Sequence, residues 1–216
     1  MNVIEVRDLR VRLGEREAVR AVSFTVARGE VYALLGGYGS GKTTLLEAVA
    51  GLRRPLGGSV RVGGIDPYER REETRIGTVW REGGLFPELT VAEVVDTWRR
   101  WTLDPLTRDE ALRLTGLVGL ADVPFDRLTD GERRLLDLAL ALVGGSDVLF
   151  LDEPTAGLKE AAAERVWSVL RFLAAHGVGV LLATRIPEEA CRADRVGILD
   201  EGRLMTGGDI ARFQAA

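Results

Sequence analysis

The 216-residue chain holds one cysteine, one histidine, one glutamine and, among 29 basic residues, two lysines. A lone cysteine, Cys191, forms no internal disulfide, and with no histidine or second cysteine near it in sequence it makes no metal site. It reads as a small packing residue on a helix. His176 stands before Gly177 at the end of a helical run, where capping the helix or compensating its dipole is the simplest role. Apolar runs are short: none approaches the roughly 18 residues that span a bilayer. Met1-Asn2-Val3-Ile4-Glu5 has neither the basic nor the apolar region of a secretory signal, so the chain is expected to be made and kept in the cytoplasm. No run of lysine or arginine is long enough to serve as a nucleic-acid surface, and the formal net charge is −4 with a pI of about 5.3. Nucleic acid is therefore not an expected partner. Internal repeats and low-complexity tails are absent too.

What is present is a chain with 46% hydrophobic residues, enough for one large α/β domain or two small ones. Its organising stretch is Gly36-Gly37-Tyr38-Gly39-Ser40-Gly41-Lys42-Thr43-Thr44. The apolar run Val31 to Leu35 precedes it and the helical pattern Leu45 to Ala50 follows. Strand, glycine loop and helix in that order make a phosphate-binding loop: Gly36, Gly39 and Gly41 let successive N–H groups, with those of Ser40 and Thr44, turn inward, and the new helix adds its positive end. A polyphosphate is the natural occupant. Lys42 would reach its outer phosphates and the Thr43 hydroxyl would ligate Mg²⁺. A chain that otherwise writes arginine writes lysine here, because a compact ammonium suits a narrow loop better than a planar guanidinium.

Residues 2 to 35 carry short and period-two apolar runs broken at Gly14-Glu15 and Arg28-Gly29-Glu30, which predicts a small antiparallel sheet feeding the loop. Thr44 to Ala50 is a short helix with Gly51 at its cap. Pro55 to Gly58 is a turn, Ser59 to Val62 a strand, and Ile76 to Trp80 another. From Leu85 to Leu128 the pattern becomes helical, with Val91, Val94, Val95 and Trp98 on one face and Asp109 to Leu120 as a second segment. With the strongly helical run Gly131 to Val143, this makes a helical subdomain of approximately residues 85–145. Trp98 and Trp101 are either core or a partner-binding face, and apolar residues at helical spacing favour core.

Asp147 to Pro154 reads as a buried strand ending in two carboxylates. Four successive apolar residues place it inside a parallel sheet, whose C-terminal edge is where open α/β folds bind ligands. There Asp152 can hold Mg²⁺ through water and Glu153 can orient or deprotonate an attacking water. Glu160 to His176 is a helix, Val178 to Ala183 a buried strand, Pro187 to Arg192 the start of a helix, and Val196 to Met205 a terminal hairpin. Strands alternating with helices imply a mainly parallel sheet covered on both faces.

With these anchors in place, essentially the whole of residues 1–216 resembles the nucleotide-binding subunit of ABC transporters, a P-loop NTPase with an N-terminal antiparallel β subdomain and an inserted helical subdomain. The drug-exporter and export-type ATPases are the nearest flavour, from Arg134 to Leu142 running into Leu149-Phe150-Leu151-Asp152-Glu153-Pro154-Thr155. The resemblance implies ATP and Mg²⁺ as cofactors, transmembrane permease subunits as partners and a place on the cytoplasmic face of the cell membrane. It also implies a head-to-tail homo- or heterodimer of two ATPase subunits. A non-transport nucleotide sensor is the alternative.

Several family positions are altered. The glutamine after the strand Ile76 to Trp80 is Arg81, the switch histidine is Arg185, and the aspartate after Gly157-Leu158 is Lys159. The L-S-G-G-Q motif stands as Leu128-Thr129-Asp130-Gly131-Glu132, and the stacking aromatic is Leu13. Neither His176 nor Gln214 sits where the missing groups belong. Arg81 and Arg185 would put fixed charges near the outer phosphate, holding an anion or displacing Mg²⁺. An Arg185 paired with Glu153 would blunt that carboxylate as a base. Asp130 and Glu132 would repel a partner's ATP or meet arginines across an interface. Hydrolysis by the chain itself is expected to be weak or lost.

Overall fold

The computed structural model describes residues 1–205, the Arg71 side chain excepted. Strands β1 (Asn2–Leu13), β2 (Arg16–Ala27) and β4 (Gly57–Val62) form an antiparallel sheet in the order β2-β1-β4. The second sheet is built from β3 (Val31–Leu35), β5 (Ile76–Val79), β6 (Val148–Asp152), β7 (Gly179–Thr184), β8 (Arg195–Asp200) and β9 (Arg203–Met205). Its order is β5-β6-β7-β3-β8-β9, parallel except for β9. Helices α1 (Lys42–Val49), α2 (Val91–Arg100), α3 (Arg108–Thr115), α4 (Asp130–Leu142), α5 (Glu160–Ala175) and α6 (Pro187–Ala190) connect the strands. None of the described helices is long and apolar enough to cross a membrane.

Why the central strands read as unbroken apolar runs is visible in their alternation. In β3, Val31, Ala33 and Leu35 feed one core, with α2 to α5, while Tyr32 and Leu34 feed a second, with α1 and the antiparallel sheet. Leu149 and Leu151 of β6 likewise face the first core, and Val148 and Phe150 the second. A strand buried on both faces has no polar side to show.

Several sequence expectations need correction. Val31–Leu35 does not belong to the antiparallel sheet; all five residues are buried, which only the two-sided parallel sheet allows. The third antiparallel strand is β4, which starts inside the expected turn at Pro55 to Gly58. At Gly58, φ is +86° and an added Cβ would lie 2.5 Å from the carbonyls of Arg7 and Asp8, so only glycine lets β4 approach β1 there. α3 stops at Thr115 rather than Leu120, because Gly116 turns left-handed at φ 71°.

Trp98 and Trp101 are not core. Val91, Ala92, Val94 and Val95 complete the buried face of α2; Trp98, on its last turn, is 46% exposed and Trp101, just past its end, 86% exposed. Cys191 is not a packing residue: it is exposed, at the position that closes the C-terminal end of α6. His176 does sit at a helix end: its Nδ1 lies 2.7 Å from the Phe172 carbonyl, an acceptor only, so the ring donates. Gln214 lies outside the described residues.

Phe150, fully buried on a central strand, is expected to cost about 3–5 kcal/mol when replaced by alanine. Trp101→Ala, at a solvent-facing position, should move stability by less than about 0.5 kcal/mol. Urea unfolding of the two variants beside the parent chain checks both.

Candidate functional site

Four neighbouring strands of the parallel sheet end side by side, and each delivers one part of the site. β3 runs into the glycine loop, β6 ends at Asp152 with Glu153 next, β7 is followed by Arg185, and β5 by Trp80 and Arg81. Together they line a cleft of about 290 Å³ with Leu13, Arg16, Ala18 and Tyr38 at its sides. A larger hollow of about 750 Å³ lies elsewhere, between β5 and the helices, walled by Trp80, Phe86, Trp98, Trp101 and Asp137. It holds no residue of the glycine loop; Lys42, Arg81, Asp152, Glu153 and Arg185 line the smaller cleft instead.

The loop fits a polyanion. Gly41 stands at φ 106°, and Cβ atoms at Gly36 and Gly41 would lie 2.3 Å from the carbonyls of Leu199 and Ala18. No side chain caps α1. The N–H groups of its first turn have no acceptor within the helix, and Lys42, Thr43 and Thr44 line the cleft. Lys42, 6% exposed, folds its ammonium back onto the loop, with Nζ donating to the carbonyls of Gly36 at 2.7 Å and Gly37 at 2.8 Å. Burial holds this ammonium below the ordinary lysine range, against the opposing pull of Glu153 and Asp152.

Thr43 and Asp152, the pair expected at Mg²⁺, are in contact: Thr43 Oγ1 donates to Asp152 Oδ2 at 2.8 Å. A hydroxyl and a carboxylate are hard oxygen donors that suit Mg²⁺. Burial raises the Asp152 carboxyl, and the Thr43 hydroxyl opposes that rise.

Glu153 meets two arginines. Arg185 grips it with both arms of its fork, Nε to Oε1 at 2.6 Å and Nη2 to Oε2 at 3.0 Å, and Arg81 Nε stands 3.6 Å from Oε2. Such bidentate pairing commits both carboxylate oxygens. Arg81 is steered from below, because the buried guanidinium of Arg134 donates to the carbonyls of Trp80 at 2.7 Å and Arg81 at 2.9 Å. That role was not anticipated from the sequence; Arg134 stands within an amphipathic helix and nothing local distinguishes it. Tyr38, 91% exposed on the loop, was equally unremarked, though an aromatic inside a glycine loop was a signal.

The remaining expected residues are not in the cleft. Thr129, Asp130, Gly131 and Glu132 start α4, and Lys159 starts α5. Glu132 serves locally: its Oε2 accepts from the Thr129 N–H and hydroxyl, both at 2.8 Å, and that bonding lowers its carboxyl. Among the described residues neither Asp130 nor Glu132 pairs with Arg81 or Arg185, whose carboxylate partner there is Glu153.

Comparison with known proteins gives one family. A family model described as ABC transporter matches residues 19–156. The chain is similar to the Nod factor export ATP-binding protein I of Ralstonia nicotianae, 36% identical over 95% of this chain and 67% of that protein. The protein of that name from Burkholderia lata is 37% identical over 95% of this chain and 70% of its own length. Among solved structures, cbiO1 of Clostridium perfringens, part of an ABC transporter complex, is 28% identical with a TM-score of 0.84, covering 99% of this chain and 91% of that one.

Asp152 yields a pH prediction. Its carboxyl is raised in the folded chain, so the native state holds the proton more tightly than the unfolded one. That contribution to stability is complete below the ordinary carboxylate range and is lost as pH rises through the raised value. Asp152→Asn removes the loss and is expected to stabilise the nucleotide-free chain at neutral pH by roughly 0.5–2 kcal/mol. Urea midpoints at neutral and acidic pH should show the gap closing as pH falls.

Proposed function

Because this chain belongs to the ABC transporter family of ATP-binding proteins, we propose that it is the nucleotide-binding subunit of an exporter, holding Mg²⁺–ATP and hydrolysing it slowly by itself. One observation carries the reading: an intact phosphate loop with the Thr43–Asp152 contact stands beside a Glu153 whose two oxygens are occupied by Arg185. Export as the direction of transport is supported by the relatives named for Nod factor export.

The loop N–H groups from Gly39 to Thr44 and the Lys42 ammonium would hold the triphosphate, and Thr43 with Asp152 the metal ion. When bound, Mg²⁺ supplies neutralisation of phosphate charge. Four cationic side chains, Arg16, Lys42, Arg81 and Arg185, line the cleft against the carboxylates of Asp152 and Glu153, so a polyanion is favoured. Taking a proton from water is not. Glu153 must first be released by Arg185, and arginine, unlike histidine, keeps its charge at any physiological pH and does not take part in proton transfer. Turnover then falls to a second ATPase subunit with an intact set of residues, in a dimer with this one.

The partner in the membrane is a set of permease subunits. Their docking face on this chain is the wall of the larger hollow, where Trp98, Trp101 and Leu103 stand exposed. Large aromatic side chains left in solvent at the rim of a hollow mark an interaction surface. The chain then works on the cytoplasmic face of the membrane.

Lys42→Ala should weaken Mg²⁺–ATP binding by about 10- to 100-fold, the loss of a charged hydrogen-bond donor. In a phosphate-release assay the isolated chain should turn over slowly, and Arg81→Gln with Arg185→His should raise the rate by about 10² or more. Rapid hydrolysis by the unmodified chain alone would overturn the reading.

A further inference from the structure

Glu189 is a carboxylate that the proposed chemistry does not use. It lies on α6, is 5% exposed, and among the described residues no ion pair reaches it. A buried carboxylate without a cation is costly unless its oxygens are well satisfied. Here two hydroxyls satisfy them: Thr155 Oγ1 donates to Oε1 at 2.6 Å, and Thr184 Oγ1 donates to Oε2.

The two hydroxyls come from different strand ends, and both are next to the site. Thr155 lies two residues beyond Glu153, and Thr184 immediately precedes Arg185. While donating to Glu189, the Thr184 hydroxyl accepts from the Ile186 N–H at 3.0 Å, which fixes the backbone on the far side of Arg185. The Glu153 N–H in turn donates to Ala183 at 2.8 Å, tying β6 to β7. One carboxylate therefore braces both loops whose tips meet as the bidentate pair. An apolar side chain in its place would leave both hydroxyls without this partner.

We propose that Glu189 is a positioning residue: acting through Thr155 and Thr184, it holds Glu153 and Arg185 in register, and so sets where the Arg185 guanidinium stands at the phosphate end of the cleft. The ion pair is made by the chain's own residues, so the positioning can be read even if the nucleotide function proposed above, on which the phosphate part rests, were to fail.

The test uses the Arg185 Nε–H signal in ¹⁵N NMR spectra of the full chain, assigned by its disappearance in Arg185→Lys. In the parent chain and in Glu189→Gln, whose amide can accept from one hydroxyl and donate to the other, the signal should be present and slow to exchange. In Glu189→Leu its exchange should quicken at least tenfold, while the Arg53 Nε–H, held by Glu47, stays as it was. Should Glu189→Leu not fold, Thr155→Val and Thr184→Val each remove one hydroxyl and should give the same change. An Arg185 signal indifferent to all three substitutions overturns the proposal. As a second readout, Glu189→Leu, or a Thr→Val variant in its place, should lower Mg²⁺–ATP affinity at least threefold in the parent background and have no effect in an Arg185→Ala background. Additive losses would mean a role that does not run through Arg185. Absence of nucleotide binding by the parent chain would refute the function proposed above and leave the NMR result to decide the positioning role.

Discussion

Glu153 is held from two directions. Its backbone sits in the left-handed region at φ 48°, a conformation that costs a non-glycine residue about 1–2 kcal/mol. Its side chain, pointed into the cleft by that turn, is gripped by Arg185 and approached by Arg81. The left-handed turn directly after a buried strand aims the carboxylate out of the sheet instead of back into the core, and the guanidinium fork fixes where it stops. In a site meant to move protons, the strained turn would present a free carboxylate to water. Here the same turn presents it to arginine, and the ion pair offsets part of the strain.

That arrangement depends on the order of the sheet. β6 and β7 are neighbours, with Asp152 opposite Ala183 in the register, so the residues that follow them emerge side by side. β3, next to β7, brings the glycine loop to the same edge, and β5, next to β6, brings Arg81. None of these side chains is near another in sequence. Burial of both sheet faces holds the register, because a shift of one residue would exchange the two cores along every central strand.

What the sequence made legible was whatever is encoded locally. Gly36 to Thr44 reads as a phosphate loop because strand, glycines, lysine and helix start are contiguous, and Val148 to Asp152 reads as a buried strand because every residue of it is apolar until the carboxylates. The Arg185–Glu153 contact was foreseen as a possibility, from positions inferred by counting. Three things were not legible. Val31–Leu35 gave no sign of which sheet it would join, since a short apolar run fits either. Trp98 matches the helical spacing of Val91 and Val95 but falls on the last turn, beyond the elements that cover the others. Glu189 and Arg134 act on partners 34 and 54 residues away, and no local pattern marks a carboxylate or guanidinium that will be buried by tertiary packing.

Arg134 also shows how close the two cavities of the chain are. Its guanidinium bonds the carbonyls of Trp80 and Arg81 and stands 3.6 Å from Asp137. Trp80 and Asp137 wall the larger hollow, whereas Arg81 reaches into the cleft. Burial pushes the Asp137 carboxyl up, with Arg134 and a hydrogen bond from the Gly84 backbone opposing. The loop after β5 also rests on Asp137 itself: an added Cβ at Gly83 would lie 2.5 Å from Asp137 Oδ2, so the chain there is pressed directly on the carboxylate. Residues 80–84 of this loop thus reach from the wall of the hollow to Arg81, which stands against the carboxylate that Arg185 holds. Arg134 and Asp137, which lie between the hollow and the backbone of Arg81, are charged, hydrogen-bonded and largely buried, which makes this connection stiff rather than yielding.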